Sequence, residues 1–254
     1  MDKYHWGERT WKEIKGATDA PRLALLPVGA TEAHGPHLPL STDVIIAEAM
    51  CQNAFEKFSS RGHETLILPP ITYTAAPFAQ SFPGTVSVRP ETVTALLVDI
   101  GDSLAHQQFD GLLLANAHLD PTHIRSLYAA RKQIEEKNDL KVIFPDITRK
   151  PWALRLTDEF KSGACHAGCY EGSIVMTAQP DLVREAIRLS LPENPASLSA
   201  AIAAGKTDFL NAGGPEAYFG SPAQASSEEG TKTVDILGSI LVEAADQTFS
   251  ETSP

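Results

Sequence analysis

The sequence predicts a three-layer α/β/α fold on a mainly parallel sheet, and two regularities carry that prediction. Four short apolar runs, at 23–28, 65–68, 111–115 and 141–144, have the length and composition of buried strands. Stretches with helical spacing lie between and after them, at 43–57, 90–107, 121–136, 180–189 and 234–249. Strands that alternate with helices of ten or more residues pair in parallel, because a parallel neighbour is reached only through a long crossover. The whole of 1–254 reads as one domain, with 1–20 as an N-terminal extension packed on it.

Each element has a local reason. The run LALLPV is apolar throughout, as expected of a strand covered on both faces, and Asp43 opens the helical pattern that follows it. Pro90, Pro121 and Pro180 each stand at the head of a helical pattern, where a missing N–H is tolerated and φ is already set. A further helical stretch spans 152–161. From 213 to 231 the chain is rich in Gly, Pro, Ser and Ala and reads as a long loop at one rim of the sheet.

Composition excludes several function classes. Against 21 Lys and Arg stand 32 Asp and Glu, giving a formal net charge of −11. No basic surface remains for a phosphate backbone or an anionic bilayer, so neither nucleic acid nor membrane is an expected partner. The N-terminus is polar, no run approaches the ~20 apolar residues of a membrane span, and the chain reads as cytoplasmic. Cys51, Cys165 and Cys169 form an odd set in a chain large enough to fold without disulfides, so reduced thiols are expected.

The chemistry concentrates in three segments. EAHGPHLPLSTD, residues 32–43, places Glu32, His34 and Asp43 directly after the first apolar run. Carboxylate oxygens and imidazole nitrogens are donors for Zn²⁺ or Mn²⁺, and a loop leaving a buried strand is where open α/β sheets place their sites. On an extended loop Glu32 and His34 point the same way; Asp43 folds back from the helix start, or else serves as its N-cap. His118 and Asp120 repeat the two-apart arrangement after the third apolar run. Parallel strands end on one rim, and five such donors exceed the need of one four-coordinate ion, so a dinuclear site bridged by a carboxylate fits the count and favours metal-assisted hydrolysis. The third segment, CHAGCYEGS, carries His166 and Glu171 among small residues that leave room for a ligand, and its imidazole suits proton transfer.

The segment PVGATEAHGPHLPLSTD, residues 27–43, resembles the signature P-x-G-S-x-E-x-H-G-x-H-L-P-L-x-T-D of the creatininase family, with Ala30 in place of serine. SFPGT at 81–85, NAHLDP at 116–121, HAGCYEGS at 166–173 and FGSPAQASSEEG at 219–230 extend the resemblance in the same order. It implies a metal-dependent amidohydrolase with two divalent ions per chain, Zn and/or Mn with Fe compatible, cleaving an amide-like C–N bond through a metal-bridging hydroxide. By the same resemblance Glu32, Asp43 and His118 hold one ion and His34, Asp43 and Asp120 the other. His166 then protonates the leaving nitrogen and Glu171 supports the site. A homo-oligomer, often a hexamer in such families, acting on a small molecule is expected.

Departures from the resemblance bear on substrate. Creatininase proper has a glutamate where Asp120 stands and an aromatic residue where Leu119 stands. Its creatinine-holding tryptophan and aspartate fall on Ser162 and Gly163, and an acidic position falls on Cys169. The expected substrate is therefore a cyclic amide, formamide or small peptide rather than creatinine. The alternatives are a non-amide ring such as a keto-inositol, or a non-catalytic metal-binding relative. Ser81, Leu119, His123, Ser162 and Cys169 are the candidate substrate contacts, Arg125 is a candidate for an anionic group, and His37 is expected to fix its loop.

Overall fold

The computed structural model describes residues 5–15, 21–61 and 64–250. Four strands, β1 (Arg22–Val28), β2 (Glu64–Ile67), β3 (Gly111–Asn116) and β4 (Lys141–Ile143), form one sheet in the order β2-β1-β3-β4, all pairs parallel. Among the described residues five helices reach ten residues or more: α1 (Thr42–Ser60), α2 (Pro90–His106), α3 (Pro121–Lys137), α4 (Cys169–Ala178) and α5 (Ser227–Ser250).

Alternation along the strands divides the core in two. Leu23, Leu25, Ile67, Leu113 and Ile143 face α1, α4 and α5, while Ala24, Leu26, Leu66, Leu112, Leu114 and Val142 face α2 and α3. Because crossovers are right-handed, β1 leads through α1 on one face to β2, whereas β3 leads through α3 on the other face to β4. The chain thus departs in opposite directions from the carboxyl ends of neighbouring β1 and β3, which opens a crevice between the loops that follow them.

Residues 5–15 of the N-terminal extension pack on this body: the rings of Trp6 and Phe109 lie 5.3 Å apart, Ile14 is buried, and Arg22 Nη2 donates to the Ile14 carbonyl at 2.7 Å. The rest of that extension, 1–4 and 16–20, lies outside the described residues. No helix among the described residues is long and apolar enough to cross a membrane.

Three later segments differ from expectation. The last helix begins at Ser227, inside the span read as loop, because Ser226 Oγ accepts from Glu229 N at 3.2 Å and starts the helix in an otherwise loop-like composition. The stretch 180–189 divides into a 3₁₀ turn, Pro180–Leu182, and a helix, Glu185–Ser190, joined through extended Val183. The stretch 152–161 likewise divides, because Thr157 takes an extended backbone and caps Asp158–Ser162 through its hydroxyl, which accepts from Phe160 N.

Candidate metal centre

Close backbone approach builds the site. A Cβ on Gly29 would lie 2.6 Å from Val44 N and 2.9 Å from Asp43 Cβ, so only glycine lets the end of β1 touch the start of α1. Asp43 is the second residue of that helix and not its cap; Ser41 holds the cap position. Its carboxylate is thus free to turn into the crevice, where the helix N-terminus favours negative charge. The loop from Glu32 to Leu40 closes on itself through Glu32 N to Leu40 O at 3.0 Å, and Gly35, at φ +62°, donates its N–H to Ala217 O at 2.7 Å. His37 is buried on the far side of this turn, edge-on to Tyr218, and burial pushes its imidazole down to about 4.

Glu32, His34, Asp43, His118, His166 and Glu171 are all buried and converge at the crevice. His118 Nδ1 lies 3.2 Å from Glu32 Oε1 and 3.1 Å from Asp43 Oδ2. On the other side His34 Nε2 lies 3.1 Å from Asp43 Oδ1, 3.5 Å from Glu171 Oε2 and 4.0 Å from Glu32 Oε1. Three groups therefore offer donor atoms that all lie within 4.8 Å of one another: Glu32–Asp43–His118, His34–Asp43–Glu171 and Glu32–His34–His166.

The tautomers follow from the second nitrogen of each ring. His118 Nε2 is 3.0 Å from Ala75 O, His34 Nδ1 is 3.1 Å from Glu32 O, and His166 Nε2 is 2.9 Å from Ala33 O. A carbonyl can only accept, so each of these nitrogens carries the proton and the opposite nitrogen presents a lone pair to the carboxylates. Glu32 Oε2, His34 Nε2 and Asp43 Oδ2 are buried without a hydrogen-bond partner among the described residues. Lone pairs facing carboxylate oxygens at about 3 Å repel unless a cation or a proton lies between them. Without a cation, protons must fill that role. For His34, burial alone would lower the pKa, but the carboxylates of Asp43, Glu171 and Glu32 outweigh it and push the imidazole up to about 10. His118 is driven well up against the same burial by Glu32 and Asp43, and burial raises Glu171 to about 8. The donor set fits a divalent ion, which satisfies all of these atoms without protons.

His166 is different. Burial, then the neighbouring His34, holds it well below its ordinary value and therefore neutral. Its ring stacks between His34 at 4.2 Å and Phe209 at 4.3 Å, with Nδ1 3.9 Å from Glu32. The turn after it is strained at Ala167, φ 52°, and is tied down by Ala167 N donating to Glu171 Oε2 at 2.6 Å.

The remaining sequence candidates scatter. Asp120 borders the same cavity, but its Oδ1 accepts from Thr122 N at 2.7 Å as the cap of α3, and its Oδ2 lies 3.4 Å from Phe78 N. Leu119 lines the cavity. Ser81, His123, Ser162 and Cys169 are not among its lining residues. Ser81 is exposed past the turn at Pro77–Ala79, Ser162 Oγ donates to the Glu159 carbonyl, and Cys169 Sγ lies 3.3 Å from Glu229 Oε1. His123 stands behind His118, its Nε2 at 2.9 Å from Asn116 Oδ1, while Asn116 Nδ2 donates to His118 O. Sequence reasoning missed Phe209, which comes from a four-residue helix, Phe209–Ala212, without a periodic signal.

The chain matches the family described as creatinine amidohydrolase (creatininase) over residues 7–245. The chain belongs to the creatininase family. It is 31% identical over 212 residues to the mycofactocin precursor peptide peptidase of Mycobacterium ulcerans (strain Agy99), a match covering 82% of this chain and 78% of that protein. A shorter stretch of 97 residues is 39% identical to the Mycolicibacterium smegmatis protein of the same name and spans 38% of this chain and 39% of that protein. The creatinine amidohydrolase of Pseudomonas putida is 30% identical over 193 residues, 70% of this chain and 72% of that one. The crystal structure of a creatinine amidohydrolase superposes with a TM-score of 0.73 at 24% identity, covering 98% and 99% of the two chains, and shares the fold. As a creatininase-family member the chain is a metal-dependent amidohydrolase.

Proposed function

We propose that the chain is a two-metal amidohydrolase whose substrate is an amide set in a body larger than a single small ring, such as a short peptide. The observation that carries the metal reading is the set of three imidazoles, each donating one N–H to a backbone carbonyl and turning its other nitrogen to the carboxylates. Glu32, Asp43 and His118 would hold one ion; His34 and Asp43 would hold the other, completed by Glu171 or by Asp120 once it leaves its backbone partners. Two such ions supply Lewis acidity and an activated water at neutral pH.

The chain's own groups do the rest. Asp43 offers one oxygen to each side and so fixes their spacing. Neutral His166, which lines the cavity, is placed to accept a proton and deliver it to the leaving nitrogen. Phe209 and Phe78 close the cavity around that imidazole and keep bulk water off it. The cavity, about 670 Å³ and mostly apolar, matches sites that enclose drug-sized ligands, which favours a peptide-like amide over a lone ring.

Elemental analysis of the purified protein, joined to a hydrolysis screen over lactams, formamides, cyclic ureas and short peptides, tests this. About two ions per chain and turnover of an amide class are expected, with both lost in Asp43→Ala. Retention of two ions and activity in that variant sinks the proposal.

A further inference from the structure

We propose that the substrate carries a carboxylate, held at the cavity mouth by Arg125 and Lys150; the inference rests on the amidohydrolase reading above and extends it to substrate class. Although the chain is strongly acidic, the cavity wall beyond the histidine–carboxylate cluster carries four cations, Arg125, Arg149, Lys150 and Lys161, against two carboxylates, Asp120, whose oxygens both accept from backbone amides, and Asp146. Asp146 is already engaged. Its Oδ1 accepts from Thr148 N and Oγ1, and its Oδ2 meets the Tyr128 hydroxyl at 2.9 Å and Arg149 at 3.2 Å. Lys161 has Asp158 at 2.7 Å. No carboxylate among the described residues forms an ion pair with Arg125 or Lys150, and the Arg125 guanidinium donates to the Thr122 hydroxyl at 3.0 Å.

The fold gathers these cations from separate parts of the chain. Arg125 and Tyr128 are three residues apart on α3 and share a face, and the Arg149 guanidinium lies 5.3 Å from the centre of the Tyr128 ring, with Lys150 next in the chain. Leu154 lines the same mouth and is 57% exposed, an apolar residue left open to solvent beside unpaired cations. Arg125 stands five residues beyond Asp120, about 7.5 Å of helix rise, and lines the same cavity as Glu32, Asp43 and His118, so one molecule in that cavity can face both the cluster and the mouth. An apolar body ending in a carboxylate satisfies both features, the guanidinium offering paired donors to its two oxygens.

Calorimetric titration with two probes differing only in this group, N-acetylphenylalanine and N-acetylphenylalaninamide, tests the assignment on zinc-loaded protein and again after chelation. The acid is expected to bind at least about tenfold more tightly than the amide in both forms. Arg125→Ala and Lys150→Ala should each narrow that ratio, the double variant should bring it near one, and Arg125→Lys should keep part of it. A ratio near one in the parent, no binding of either probe, or a preference that survives the double variant overturns the proposal. A preference lost only on chelation also overturns it, since the carboxylate then sits on the metals. Failure of the two-metal reading shows separately, as absent metal in the parent, and leaves the preference on chelated protein measurable.

Discussion

On the two sides of Asp43 the same kinds of donor are held in different ways. On the Glu32 and His118 side, Glu32 sits four residues beyond β1 and His118 two beyond β3, the central strand pair, and His118 is within 3.2 Å of both carboxylates. On the His34 side, two carboxylates compete for one place. Glu171, 3.5 Å from His34, comes from the first turn of α4 after a strained turn, while Asp120 stands at the rim with both oxygens on backbone amides. A position fixed by adjacent parallel strands tolerates little adjustment. One closed by helix-terminal side chains can exchange partners, so the two sides should differ in metal affinity, the Glu32 side being the tighter.

Asp43→Ala, which removes the group common to both sides, should have the largest effect: both ions lost by elemental analysis and turnover at background. Next, Glu171→Gln should take the metal content from about two per chain to about one. Asp120→Asn should leave it unchanged, because asparagine still caps α3. The opposite result would assign the second ion to Asp120. His166→Gln should keep both ions and slow turnover by roughly 10²–10⁴-fold, the range for loss of a proton-transferring group. A fall in metal content in that variant would make His166 a ligand instead.

The same contrast explains what could be read from the sequence. The sheet was legible because uninterrupted apolar runs have few other uses, and the Glu32 and His118 side was legible because each residue follows such a run. The His34 side was less so: Glu171 depends on where α4 packs against α1 and α5, which no local pattern encodes. Asp120 carries the same sequence cue as His118, yet it immediately precedes Pro121 and serves as a helix cap. The expected contacts at Ser162 and Cys169 failed to reach the cavity because the short helix Asp158–Ser162 turns Ser162 back onto Glu159 and Cys169 points toward α5. Of the basic mouth only Arg125 could be singled out from the sequence; Lys150 comes to the same cavity through the packing of Asp146 and Arg149 on Tyr128, which no local pattern encodes.

The smallest expected effect is in chelated protein, where protons must take the place of ions. His34 is raised from 6.5 to about 10 and His118 also lies well above 6.5, so each stabilises the fold fully below pH 6.5 and loses that contribution as pH rises. Glu171, raised from 4.5 to about 8, acts in the same direction across pH 4.5–8. His166 and His123 are depressed, so their contribution has the opposite sign and is complete by about pH 6.5, where the unfolded imidazole loses its proton. The buried thiols, with Cys165 and Cys169 raised to about 12, begin to contribute only near pH 9, where unfolded cysteine ionises. Between pH 7 and 8.5 the chelated protein should therefore lose on the order of 1 kcal/mol per pH unit for each extra proton held. That corresponds to a melting point falling by about 2–4 °C per kcal/mol. In metal-loaded protein the ions hold the same atoms and the slope should flatten or reverse. A chelated protein whose melting point rises with pH over that interval would mean that the Asp43 cluster does not store these protons.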